Sequence, residues 1–227
     1  MKTTIRILLG LAICFLSYIC VMSVVTPIRF EEKRINREVA VVKNLVSLRT
    51  AEVEFKAQKG HYTADLDSLV IFLKTAKKKE VLKEGALTDA QLEAGMTEAK
   101  AVKIIKRGNI KEIKKNGLEG FKRDTIYTNL IQSLYKGEYT EENIDEIIYI
   151  PYTDKVRYEA EVDNNYTTDK GIKVPLVEVR APFETYLADL DKQELVNLID
   201  KEKQLDHYPG LRFGSIEAPN NNAGNWE

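Results

Sequence analysis

From Ile7 to Val25 the chain carries no charge and is mostly apolar. Nineteen residues at ~1.5 Å each span ~28 Å, close to the hydrocarbon thickness of a bilayer, so the pattern predicts a membrane helix. Thr26-Pro27 follows. Thr as N-cap and Pro at the first position could open a fresh helix, or the proline could sit inside a continuous one. Apolar residues then recur at Ile35, Val39, Val42, Val46 and Val53, with Leu45, Leu48 and Phe55 widening the stripe. That spacing is helical, and Gly60 supplies the stop. The predicted stalk is roughly 45 Å long, and its apolar face must cover a globular domain or a neighbouring stalk.

Beyond Leu73 the pattern breaks into shorter pieces. A short strand fits Glu80–Lys83. Thr88 with Gln91 reads as a capping box closed by Gly95, and Thr97 caps a second small helix that Gly108 ends. Asp124 to Tyr135 is β-branched and aromatic enough for a strand. Glu146–Tyr152 and Lys155–Val162 alternate apolar and polar about a turn at Thr153-Asp154, and Ile172–Arg180 completes a meander whose apolar face suits a helix stripe. Pro175 suggests an edge or a bulge there. Tyr-x-Ala-Asp-Leu-Asp occurs twice, at Tyr62 and at Tyr186. In each copy an Asp is expected to cap a helix (Asp67 in the first, Asp191 with Glu194 in the second), a Leu packs inward and a Tyr lies on the apolar surface. Paired Asp oxygens as calcium ligands are the rival reading.

The predicted fold class is therefore α+β. A transmembrane helix leads into a long amphipathic helix packed on a small antiparallel sheet, with a helical insertion. The segments are 1–28, tip and anchor; 29–73, amphipathic helix and a following short helix; 74–124, basic insertion; and 125–227, sheet, closing helix and polar tail.

Charge refines this division. Ile71 to Asp124 carries 14 Lys/Arg against 8 Asp/Glu, and Thr125 to Glu227 carries 10 against 20, although the whole chain is close to neutral at −1. Near-neutrality argues against a nucleic-acid footprint. Both cysteines, Cys14 and Cys20, lie in the apolar run, so no disulfide framework exists downstream. Lys2 and Arg6 before the apolar run leave the N-terminus cytoplasmic and the remainder outside. A cleaved signal peptide and a lipoprotein signal at Cys20 are the alternatives. The tail from Glu217 holds four Asn and the only Trp. Its composition reads as loop or disorder, while Trp226 argues for docking.

Gly60, Tyr62, Asp65, Leu66 and Leu69 match the helix-end pattern of type IV pilins and pseudopilins, and the layout of the first third of the chain resembles that family. The resemblance implies an N-terminal helix laid on a small antiparallel sheet and a role in assembly. The chain departs from it at the cleavage motif, where Gly10 is the only candidate glycine and Phe15 stands where pilins carry glutamate. The pieces ALTDAQLEAGMTEAKAV, KRDTIY and YPGLRFGSIEAPNNNAGNWE resemble those of uncharacterised Bacteroidota envelope proteins, which implies an envelope location. Gly95-Met96-Thr97 with Ala101 is similar to the helix start of PASTA wall-binding modules. Asp67-Ser68-Leu69 and Asp124-Thr125-Ile126 resemble Bacteroidota O-glycosylation sites.

No nucleophile elbow, P-loop or dinucleotide fingerprint occurs, and His61 and His207 belong to no ligand cluster. The expected function is a non-enzymatic, inner-membrane-anchored periplasmic assembly component, with no catalytic residue, cofactor, metal or small-molecule ligand. Its expected partners are the membrane, itself and other envelope proteins. The alternative is a wall-binding module or an envelope enzyme. The residues expected to mediate interaction are Val39, Val42, Val46, Tyr62, Leu66, Leu69 and Trp226.

Overall fold

A computed structural model describes residues 2–227; the side chains of residues 2, 3, 5, 80–83 and 124–126 lie outside the description. The positive-inside reading at Lys2 and the glycosylation reading at Asp124-Thr125-Ile126 therefore fall outside the described residues. In chain order the elements are α1 (Lys2–Lys59), α2 (Leu66–Thr75), β1 (Lys77–Glu84), α3 (Asp89–Glu93), α4 (Glu98–Arg107) and α5 (Ile110–Lys115). Then come β2 (Lys122–Asn129), α6 (Leu130–Tyr135), a 3-10 turn (Ile144–Ile148), β3 (Glu159–Asp163), β4 (Leu176–Pro182), α7 (Phe183–Tyr186), α8 (Lys192–Gln204) and β5 (Gly210–Gly214). The class is α+β, and the chain forms two compact units, Lys74–Tyr139 and the remainder.

In the larger unit α1 runs unbroken for 58 residues with Pro27 inside it. Its most apolar 18-residue stretch has a mean hydropathy of 2.5 and none of it is buried, so by length and composition it is a candidate membrane span. The helix stops where Gly60 adopts φ +84° and donates its N–H to Lys56 O at 2.8 Å. Phe30, Val41, Leu45, Leu48, Ala51 and Phe55 form its buried face. The helix packs on β5 and the 3-10 turn, where Leu211, Phe213, Ile144 and Ile147 are buried, and Val177, Val179 and Ala181 of the neighbouring β4 are buried as well. The sheet is antiparallel in the order β3-β4-β5. The central strand β4 is buried from Leu176 to Val179. Glu178 lies inside it at 3% exposure and is held by Arg180 at 3.3 Å and Arg212 at 3.4 Å, which satisfies a charge that would otherwise be costly there.

The smaller unit is built on the antiparallel pair β1-β2, from Lys77 opposite Asn129 to Glu84 opposite Lys122. Its helices enclose a small cluster of Ala101, Leu118 and Phe121. The expected caps are present. Thr88 and Gln91 form a reciprocal capping box, Thr97 accepts from Lys100 N–H, and Gly108 ends α4 at φ +70°. The unit carries 15 Lys/Arg against 9 Asp/Glu, a net charge of +6, and the rest of the chain carries 19 against 26, a net of −7.

Four expectations change. The insertion ends at Tyr139 rather than residue 124, because Lys122–Asn129 pairs with β1 and not with the other sheet. The strand expected over Asp124 to Tyr135 stops at Asn129, whose side-chain oxygen accepts from Ile131 N–H and starts α6. The strand expected over Glu146–Tyr152 is largely a 3-10 turn, and only Ile148 to Ile150 pairs across to Val156–Tyr158. The third sheet strand is β5, where Gly-Leu-Arg-Phe-Gly is too short to show a period.

Glu52 is fully buried on α1, where its Oε2 accepts from Thr63 N–H at 3.2 Å and its Oε1 has no partner. Burial pushes its carboxyl up to about 8 from 4.5. Between those values the folded chain holds a proton that the unfolded chain has lost, so stability falls as pH rises through this window. The Glu52 contribution is at most about 1.4 kcal/mol per pH unit. Thermal melting of the detergent-solubilised chain at pH 5, 6.5 and 8 should show a decline that Glu52→Gln removes, since the amide keeps an acceptor for Thr63.

Candidate functional site

The two copies of Tyr-x-Ala-Asp-Leu-Asp anchor the connections that hold α1 in its unit. Tyr62 and Tyr186 are both buried, at 4% and 0% exposure. Each copy uses one Asp to start a helix and the other to bind an arginine, with the two tasks exchanged. In the first copy Asp65 is the cap: its carboxylate accepts from Asp67 N–H and from the Ser68 hydroxyl. Asp67, expected as the cap, instead forms a bidentate pair with Arg157 at 2.7 and 3.0 Å. In the second copy Asp191 caps α8 by accepting from Gln193 and Glu194 N–H, as expected, and Asp189 pairs bidentately with Arg37 of α1. Arg37 also donates to Tyr186 O at 2.7 Å and lies over the Tyr152 ring. The Ser68 hydroxyl and the Arg37 guanidinium hold Asp65 and Asp189, respectively, below the usual carboxylate range.

At the corner after α1, Leu66 and Leu69 are buried. Tyr62 N–H donates to Asn164 Oδ1 and Asn164 returns a bond to Tyr62 O, at 2.9 and 3.1 Å. The Tyr62 hydroxyl accepts from Asn222 Nδ2 at 2.8 Å, which ties the corner to the tail. The tail is an ordered strap. Asn225 N–H donates to Arg212 O, Arg212 N–H donates to Asn225 Oδ1, and Gly214 N–H donates to Ala223 O, so the segment completes the outer edge of β5. The tail is a loop, as its composition suggests, and asparagine side chains acting as backbone partners hold it in place. Trp226 docks on its own unit. Its ring lies close enough to Gly224 that a Cβ there would meet it at 2.5 Å, and Arg49 stands 6.0 Å from its centre. Arg49 also pairs with Glu227 at 2.6 Å.

The apolar stripe divides. Leu45, Leu48 and Phe55 face the core, as expected of residues that widen a packing face. Val39 is 66% exposed, Ile35 49%, Val53 48% and Val46 36%, and Val42 is half-buried. At ~100° per residue these positions fall within about 60° of one another and centre roughly 140° from the buried face. The sequence reading merged two faces into one, because a single string of apolar letters cannot say which is covered.

Other candidates stay local. His61 Nδ1 lies 2.9 Å from Tyr62 O with its ring edge-on to Phe55, and His207 Nδ1 lies 3.1 Å from Glu202. Among the described residues no group of three or more His, Cys, Asp or Glu is placed to hold a metal. An open cleft of about 280 Å³ beside Thr26–Lys33 is lined by Arg29, Lys33, Asp189 and Asp191, and both carboxylates already have partners. Gly95 ends α3 at φ +75°, and Thr97 and Ala101 serve α4 itself, as cap and core residue.

Removing residues 220–227 should lower stability by roughly 2–3 kcal/mol, since a β-strand edge, the Tyr62 bond and an aromatic contact are lost together. Arg157→Ala should cost under about 1 kcal/mol, because that pair is exposed, and Arg37→Ala should cost more, because it also satisfies the Tyr186 carbonyl. Chemical denaturation of the three variants gives the ranking directly. Comparison of the chain with protein-family models, with curated proteins and with solved structures finds no match.

Proposed function

We propose that this protein is a non-enzymatic structural component of a bacterial envelope, anchored in the inner membrane by the first half of α1, with its folded units in the periplasm. The observation that carries this reading is the division of α1. One unbroken helix begins as an unpacked apolar segment long enough for a bilayer, and continues as a helix whose one face is fixed to a sheet while another apolar face stays uncovered. An anchor joined without interruption to a recognition surface suits assembly. Exposed β-branched residues aligned on one helix face suit contact with another helix. The two basic residues before the apolar run, Lys2 and Arg6, favour a cytoplasmic N-terminus. The pilin-like layout and the pieces similar to Bacteroidota envelope proteins agree with this location.

The test is fractionation followed by protease accessibility. The full-length chain should pellet with membranes, resist carbonate extraction, and lose its C-terminal units to added protease once the outer membrane is opened. Protection until the inner membrane is lysed would overturn the orientation. Recovery of the intact chain in the soluble fraction would overturn the anchor.

A further inference from the structure

We infer that the partner of the uncovered α1 face is a second copy of this chain, paired in parallel and in register from the bilayer to Val46. This rests on the membrane-anchored reading above and adds the identity of the occupant. From Ile7 to Val46 every third or fourth residue in strict alternation is non-polar, with Glu32 as the single charged position. The soluble part of this series is Ile28, Ile35, Val39, Val42 and Val46, all β-branched. None of these five is buried in its own unit. A repeat averaging 3.5 residues is the signature of a left-handed coiled coil. The slow drift of a straight helix against this repeat is taken up by supercoiling.

One feature favours a second copy over a different helix, and two more set the extent of the pair. Copies held by the same anchor enter the bilayer in the same direction and at the same depth, so each residue of the series meets its own counterpart at zero stagger. The interface area also fits. The soluble stretch from Ile28 to Val46 is about 29 Å long and would cover only about 600 Å² in total for a contact strip about 10 Å wide, below what a stable pair needs. Continuing through the anchor to Ile7 gives about 60 Å and about 1,200 Å², which reaches that range. The series is also closed from within. The next position after Val46 is Arg49, which the chain's own Glu227 and Trp226 already occupy, so the pair ends where the strap begins. Glu32, near the predicted bilayer boundary, meets its own counterpart in this register, a like-charge contact that costs stability.

The native cysteines read this arrangement directly. Both are exposed; Cys14 falls on the repeat and Cys20 falls off it. Copper-phenanthroline oxidation of the full-length chain in isolated membranes should give a disulfide-linked species of twice the 25.9 kDa chain mass for the wild type and for Cys20→Ser. Cys14→Ser should reduce it at least tenfold, since only facing positions bring Cα atoms within disulfide reach. In the Cys14→Ser/Cys20→Ser background, Val42→Cys should restore the dimer and Lys33→Cys should not. Dimer formed through Cys20 alone, or none through either Cys14 or Val42→Cys, overturns the proposal. An adduct of Val42→Cys with a different polypeptide overturns self-pairing and leaves an assembly role standing. Loss of the chain from the membrane pellet before oxidation overturns the anchored reading itself.

Discussion

The burial of Val41, Leu45, Leu48 and Phe55 of α1 against the sheet and the 3-10 turn is the interaction on which the larger unit depends. Side chains of this size each contribute about 1.5–3 kcal/mol when taken from water, so the four together supply on the order of 10 kcal/mol before the cost of ordering the chain. β3-β4-β5 is a three-stranded sheet with one face to cover, and a sheet that small has no independent means of doing so. The second half of α1 is therefore a structural member of the globular unit and not a linker to it. Whatever fixes the first half of the helix fixes the sheet as well.

The remaining ties reinforce that contact at its two ends. Arg37 fastens one part of α1 to the loop before α8 through Asp189, and Arg49 fastens another to the tail through Glu227. Glu52 contributes differently, as a buried acid that is tolerated largely by remaining protonated. The exchange of tasks between the two Tyr-x-Ala-Asp-Leu-Asp copies follows from geometry. An Asp that caps must sit just before the helix, so whichever Asp is left over is free to meet a nearby guanidinium. The same six letters thus give two arrangements, decided by where each following helix begins.

Much of this was legible in the sequence. The apolar run, the amphipathic continuation, the Gly60 stop and the caps at Thr88, Thr97 and Asp191 each depend on neighbours within a turn of helix, and local patterns report local geometry well. Tyr62, Leu66 and Leu69, expected to mediate interaction, are instead buried in their own unit, because the corner after α1 folds back on the core. What was not legible depends on distant partners. Nothing near Lys122 says that its strand pairs with Lys77–Glu84, nothing in Asn220–Glu227 announces a strand edge waiting for it, and Ile35 and Leu45 are equally apolar although one faces out and the other in. Trp226 was expected to dock, but only the folded chain names Arg49 and Gly224 as its surroundings.

The register of the small hairpin has an evolutionary consequence. Because Lys77 stands directly opposite Asn129, the entrance and the exit of everything between them lie one strand spacing apart, about 5 Å. The fifty-one residues from Lys78 to Thr128 could be exchanged for a tight turn, or for an unrelated module, without moving either flank. Descendants of this architecture are thus free to lengthen, shorten or replace that cassette, and to change its charge, while the flanking scaffold stays the same.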